Sequence, residues 1–165
     1  RGGLAVLGRP QGGTPAVRSP QPAAPAAVRR LSGARTARPY NPAMCLLVVA
    51  WLSHPRYRLV VAGNRDEFHE RPAAPLGWWN DEPGILAGRD LRAGGTWLGL
   101  SRRGRFGLVT NFRDTEAPSA PDAPSRGHLV PRFLRDHAGP AAYLDALQAE
   151  AARYAGFNLL LARIR

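Results

Sequence analysis

The chain contains one methionine and one cysteine, and they are adjacent: Met44-Cys45, followed by the apolar residues Leu46-Leu47-Val48-Val49-Ala50-Trp51-Leu52. Methionine is readily trimmed before a small residue, so Met44-Cys45 is how a polypeptide meant to begin with cysteine is encoded. Such a product carries a thiol and a free α-amine on one residue. The amine titrates at about 7.7–8.0 and the thiol near about 8.5. A base beside a nucleophile is the minimum equipment for covalent amide chemistry. A polar cluster, Asn64-Arg65-Asp66-Glu67, follows the next apolar run. Arg65 close to Cys45 would favour thiolate, and Asp66 would hold or orient the α-amine. Asn111, in Thr110-Asn111-Phe112, offers an amide that could donate to a developing oxyanion. Each group also has a plainer reading. Cys45 can be a small buried hydrophobe, residues 64–67 a solvated turn, and Asn111 a turn residue bonded to its own backbone.

These residues need elements to bring them together. Residues 45–52 form a continuous apolar run of strand length, as expected of a strand covered on both faces. Residues 53–56 read as a loop and 58–62 as a second strand. The resulting hairpin returns residues 64–67 to the neighbourhood of Cys45. A long irregular stretch follows, marked by Pro72, Pro75, Gly77, Pro83 and Gly84, with a short strand at 85–87. Residues 96–100 and 106–110 form a second hairpin around Gly104. Residues 116–125 are a Pro/Ser loop. Leu129, Val130, Phe133 and Leu134 recur at helical spacing, with Pro131 near the start. Pro140 opens a second helix whose buried face is Tyr143, Leu144, Leu147, Ala151 and Tyr154, closed by Gly156. Residues 157–164 read as a further strand. An apolar strand this late in the chain lacks later partners, so the domain is expected to continue beyond Arg165.

Between the strands, Gly94-Gly95-Thr96-Trp97-Leu98-Gly99 reads as a tight entry to a strand, with Trp97 in the core. It lacks the lysine and spacing of a phosphate loop. Trp78-Trp79 reads equally as an exposed shelf or as a cover over the core. His54, His69, His128 and His137 are scattered and read as surface or hydrogen-bonded histidines.

Composition divides the chain at Met44. All 23 basic residues are arginine; seven precede Met44, where there is no acid, and sixteen follow it together with all twelve acids, a formal balance of +4 there. Nucleic acid is therefore not an expected partner of the body of the protein. One cysteine permits no internal disulfide, no Cys/His pattern has zinc spacing, and no cofactor is expected. No apolar run reaches the length of a membrane span. Residues 1–43 are rich in Ala, Pro, Gly and Arg, with prolines at 10, 15, 20, 22, 25, 39 and 42, and are expected to be disordered. They read as translated upstream sequence, a targeting peptide, or a basic arm for an acidic partner; the absence of lysine points to a GC-rich gene and favours the first. A bacterial cytoplasm is the expected setting, or a mitochondrial or Golgi-associated one in a eukaryote.

Seven motifs after Met44-Cys45 occur in order: Asn64-Arg65-Asp66-Glu67-Phe68, Arg71-Pro72, Ala87-Gly88-Arg89-Asp90, residues 94–99, Thr110-Asn111-Phe112-Arg113, Ser125-Arg126-Gly127 and Gly156-Phe157-Asn158-Leu159-Leu160. Together they resemble the NRDE family, also called the transport and Golgi organisation protein 2 family. The resemblance covers residues 44–165, which supports Met44 as initiator and a family domain longer than this chain. It implies an α+β, N-terminal-nucleophile hydrolase-like αββα sandwich. Within that wider fold, cysteine enzymes similar to penicillin V acylase and bile-salt hydrolase use an N-terminal Cys with an Arg, an Asp and an oxyanion Asn. Cys45, Arg65, Asp66 and Asn111 match that order. The implied function is a cysteine amidohydrolase acting on C–N amide bonds of a small molecule. The alternative is a non-enzymatic carrier or trafficking factor for haem or lipid, since animal relatives are associated with secretion, Golgi organisation and haem movement.

Overall fold

The computed structural model of the chain describes residues 3–9, 16–18, 45–112 and 122–164. Among these residues the strands are β1 (Gly3–Arg9), β2 (Ala16–Arg18), β3 (Leu47–Trp51), β4 (Leu59–Gly63), β5 (Ala73–Trp78), β6 (Ile85–Asp90), β7 (Leu98–Ser101), β8 (Arg105–Asn111) and β9 (Phe157–Arg163). The helices are α1 (Leu129–Arg135) and α2 (Pro140–Gln148). Seven strands form one sheet in the order β2-β1-β9-β8-β7-β6-β5, and β3 and β4 form a separate hairpin. Every strand pairing is antiparallel. The class is mixed α+β.

The layering follows from alternation along β8 and β9. Successive strand side chains point to opposite faces. Leu159 and Leu161 of β9, with Val109 of β8, join a core that contains Leu129, Phe133, Leu144 and Leu147 from the helices. Leu160 and Ala162, with Phe106 and Leu108, face the other way and meet Leu47, Val49 and Trp51 of β3 and Leu59 and Val61 of β4. Helices therefore cover one face of the large sheet and the hairpin covers the other. A continuous apolar run such as Leu159-Leu160-Leu161-Ala162 is what a strand buried on both faces requires. Each fully buried leucine contributes about 1.5–3 kcal/mol relative to exposure.

The helices are set by proline and by side chains shared between them. Pro140 occupies the first turn of α2 and Pro131 the first turn of α1, where the missing N–H has no partner to lose. Tyr143 of α2 meets Phe133 of α1 edge-on at 5.2 Å, and its hydroxyl donates to the Leu129 carbonyl at 3.3 Å. Burial pushes the Tyr143 phenol up to about 12.

The first hairpin, the second hairpin, the strand near residue 85 and both helices appear where the sequence places them. Four features differ. Residues 73–78, within the stretch expected to be irregular, form edge strand β5, which tolerates Pro75 because its register slips between Ala74 and Gly77. Strand β3, like its partner β4, is covered on one face only: Val48 of β3 and Val60 of β4 are 60% and 43% exposed. Helix α2 ends at Gln148, and a 3-10 turn at Ala151–Arg153 replaces its expected last turn.

The fourth difference concerns the segment expected to be disordered. Within it, residues 3–9 form β1, paired along its whole length with β9 from Gly3↔Arg163 to Arg9↔Phe157. Averaging over 43 residues hides the short alternating run Leu4-Ala5-Val6-Leu7. Ala5 and Leu7 are buried at 3% and 0% exposure on the helix side, while Leu4 and Val6 lie on the hairpin side. Strand β9 thus has neighbours on both edges, β8 and β1, where the sequence suggests partners still to come. Of residues 1–43, all but 3–9 and 16–18 lie outside the described residues, as does Met44. No described helix is long and apolar enough to cross a membrane.

Candidate functional site

The site begins at the open end of the β3–β4 hairpin, where the entry to β3 and the exit from β4 are clasped together. A Cβ on Gly63 would stand 2.7 Å from the Leu46 carbonyl oxygen, so only glycine allows this approach. The Asn64 backbone N–H donates to the Leu46 carbonyl at 3.1 Å, and the Leu46 N–H donates to Asn64 Oδ1 at 2.9 Å. The Asn64 amide then donates through Nδ2 to Asp66 Oδ1 at 2.8 Å. The result is that the Asp66 backbone N–H points at Cys45 Sγ, 3.4 Å away, with Cys45 half-buried. Asn64 therefore orders both Cys45 and Asp66.

Arg65 turns away from this clasp. Its guanidinium lies 4.1 Å from the centre of the Trp97 ring, within cation–π range, and 3.4 Å from Glu67. Glu67 is also 3.8 Å from Arg71. Arg71 in turn holds Asp90 through Nη2 at 2.6 Å and Nε at 3.0 Å. The second Asp90 oxygen accepts the N–H groups of Arg92 and Ala93 at 3.0 and 3.2 Å. Burial opposes the charge on Asp90, but the hydrogen bonds from Arg71 and the two backbone groups outweigh it and hold the carboxyl below the usual carboxylate range. Arg71 is correspondingly raised, chiefly by its hydrogen bond to Asp90.

Gly94 and Gly95 are tied to Asp90 by backbone hydrogen bonds, Gly94 N–H to the Asp90 carbonyl at 2.7 Å and Asp90 N–H to the Gly95 carbonyl at 2.8 Å, and the backbone of residues 94–96 packs on the 3-10 turn Arg126–His128. Gly94 takes a left-handed φ of 75°. Gly95 lies so close to Gly127 that a Cβ would fall 2.5 Å from its carbonyl carbon and oxygen, and the Thr96 N–H donates to Gly127 O at 3.0 Å. The glycine pair serves contact between two backbones, in keeping with a tight strand entry. The turn presents Arg126, whose Nη1 donates to the Gly156 carbonyl at 2.7 Å, the same oxygen that accepts the Phe112 N–H.

A cavity of about 490 Å³ lies between these parts, lined by Cys45, Arg65, Asp66 and Asn111 together with Trp97, Arg71, Asp90 and Arg126. All four residues singled out from the sequence thus share one wall system, although Arg65 spends its charge on Glu67 and Trp97. Asn111 is exposed at the end of β8, opposite Phe157. Trp97, expected in the core, lines the cavity while packing against the core. Arg71, Asp90 and Arg126 received no role from the sequence; their only signal was membership of short ordered motifs. Trp78 and Trp79 divide: Trp79 is buried at 5% exposure, and Trp78 is 45% exposed beneath Arg102 at 3.9 Å. None of the histidines lines the cavity; His128 meets the Ala93 carbonyl and His137 meets Arg103. Among the described residues no three His, Cys, Asp or Glu side chains cluster as a metal site.

Fold and site define an α+β protein with a cysteine set at an arginine-rich cavity between a hairpin and a larger sheet. Residues 44–165 match the family described as Transport and Golgi organisation 2, and the chain belongs to that family. It is 39% identical over 126 residues to the Transport and Golgi organization 2 homolog of Mus musculus, an alignment covering 72% of this chain and 45% of the relative. Identity to the Transport and Golgi organization protein 2 homolog of Homo sapiens is 36% over 126 residues, with the same coverage. For Transport and Golgi organization protein 2 of Drosophila melanogaster it is 30% over 129 residues, 71% of this chain and 45% of the relative. The chain spans about half the length of these curated relatives.

Proposed function

We propose that this protein is a cysteine amidohydrolase of the N-terminal-nucleophile type, acting on a C–N amide bond of a small molecule. The observation that carries this reading is the placement of Cys45 Sγ against the Asp66 N–H, on a cavity that Asn111 and Arg65 also line. Once the peptide bond before Cys45 is opened, its nitrogen is an amine and can take the thiol proton. The sulfur then attacks the amide carbon, and the oxygen of the tetrahedral adduct receives hydrogen bonds from Asn111 and backbone N–H groups. Collapse breaks the C–N bond, and the proton passes from the α-ammonium to the leaving amine. Water, activated by the same amine, hydrolyses the thioester and regenerates the thiol. Asp66, held by Asn64, positions the amine. Arg65, balanced by Glu67, contributes a fixed cation over Trp97 on the cavity wall.

While residue 44 remains joined to Cys45, the nitrogen is an amide and the mechanism lacks its base. The test is amine release from a panel of N-acyl compounds, using protein whose Cys45 amino terminus is verified by mass spectrometry. Cys45→Ser should slow acylation severely, and uncleaved protein, which lacks the base, should be slower by about 10²–10⁴-fold. Undiminished activity in the Cys45→Ser variant would falsify the mechanism.

A second reading is a carrier of an apolar ligand such as haem or lipid. Leu98, Leu108 and Val61 on the cavity wall and the transport function named for the relatives favour it. Haem titration followed by absorbance, with and without Cys45, separates the two readings: a Cys45-dependent spectral shift supports the carrier, and unaltered spectra exclude haem.

A further inference from the structure

The charges around the cavity are unevenly matched. Glu67 serves Arg65 and Arg71. Asp90 serves Arg71 and two backbone N–H groups. Asp66 is engaged by Asn64. Arg126 differs from the other two arginines on this wall: among the described residues no carboxylate lies within ion-pair distance of it. Among the described residues its one hydrogen bond runs from Nη1 to the neutral carbonyl of Gly156. A guanidinium carries five N–H donors, so most of its fork is uncommitted.

Its surroundings do not favour the charge. Burial, and then the like charge of Arg71, pull the Arg126 guanidinium below its ordinary value, with only Glu67 acting in the other direction. A desolvated charge is costly unless paired, and here it stands on the wall of a cavity that Cys45 also lines. The Gly156 carbonyl and the Gly95–Gly127 backbone contact fix the turn that carries it, so the side chain is preorganised. Planar guanidinium donors match an oxyanion with two acceptor oxygens.

We infer that the molecule accepted by this cavity bears an oxyanion, carboxylate or phosphate, that pairs with Arg126. The inference deepens the amidohydrolase reading by naming the substrate class: an amide with an acidic arm, whose charge anchors it while the amide faces Cys45. Arg126 is then a specificity residue and takes no part in bond making.

The experiment measures protection of Cys45 from iodoacetamide in the full chain, followed by mass spectrometry. The probes are N-hexanoylglycine, N-hexanoyl-O-phosphoethanolamine and the neutral N-hexanoylethanolamine. At least one anionic probe should protect at a concentration about tenfold or more below the neutral one, as expected for a charge-assisted hydrogen bond in a partly dry site. Which anion is more effective identifies carboxylate or phosphate. In Arg126→Gln the ratio of anionic to neutral protection should collapse towards one, and Arg126→Lys should restore part of it. Thermal melting verifies that both variants are folded, and if Arg126→Gln is not, the decision rests on Arg126→Lys, whose ratio should fall between one and that of the wild type. Equal protection by charged and neutral probes, no protection by either anion at millimolar concentration, or undiminished selectivity in both variants overturns the inference. Selective protection without amine release from Cys45-terminal protein would sink the hydrolase reading and leave the oxyanion site standing. Amine release with no preference for charge does the reverse.

Discussion

Asp90 shows how a single side chain ties the cavity wall together. Its two oxygens are shared between Arg71 and the N–H groups of residues 92 and 93, and it is buried at 6% exposure. Because its folded pKa lies below the unfolded value of about 3.9, its ionisation stabilises the fold fully above that pH. The contribution disappears as pH falls through the lower, folded value. Asp90→Asn should therefore cost about 1.5–3 kcal/mol at neutral pH, the range for hydrogen bonds to charged groups. The variant should also lose less stability than the parent when taken to pH 2–3, the acid range below that reference. Urea midpoints at the two pH values check both parts; a constant gap between variant and parent would show that the Asp90 pKa is not lowered by folding. The motif Ala87-Gly88-Arg89-Asp90 announced that something was required here, but a carboxylate's partner 19 residues away has no local signature.

At the scale of elements, α1 and α2 are joined through Tyr143, which the helical spacing identified as an inward-facing residue. What the spacing could not specify was the hydrogen bond to the Leu129 carbonyl, since that oxygen becomes available only when α1 lies alongside. Tyr143→Phe should cost about 1 kcal/mol at neutral pH. The raised phenol adds a second signature. The folded pKa of about 12 exceeds the unfolded value of about 10, so the stabilisation is complete below the unfolded value and is lost as pH rises towards the folded one. The parent should therefore lose more stability between pH 9 and pH 12, which bracket those values, than the Phe variant does. Chemical denaturation at both pH values provides the comparison, and parallel losses would contradict the assignment. The hairpins were the most legible elements, because an apolar run, a short turn and another apolar run have few alternatives. Strand β5 was obscured by Pro75, which an edge position with slipped register accommodates.

For the whole molecule, the informative element is β1. It pairs with β9 and places Leu7 at 0% exposure in the helix-side core. Leu7→Ala in the 165-residue chain should therefore lower stability by about 2–5 kcal/mol, the range for a buried leucine truncated to alanine. Gly3→Ala is the control, because a Cβ there meets nothing within 4 Å. Equal denaturation midpoints for the two variants would show that the segment before Met44 does not belong to the core. A core strand in this segment also bears on the proposed function, because it precedes the bond that the proposed chemistry requires to be opened.

From the order of residues alone came the family resemblance, the candidate set Cys45, Arg65, Asp66 and Asn111, and the hairpin that returns residue 66 to residue 45. These are local or nearly local properties, carried by apolar alternation, by proline and glycine, and by short motifs. Only the folded chain decided that Trp97 and Arg126 share the cavity with Cys45, that Arg65 pairs with Glu67, and that β1 fills the edge of β9. Those outcomes depend on charge pairing, desolvation and backbone hydrogen bonding between segments far apart in sequence, which exist only once the layers have closed on one another.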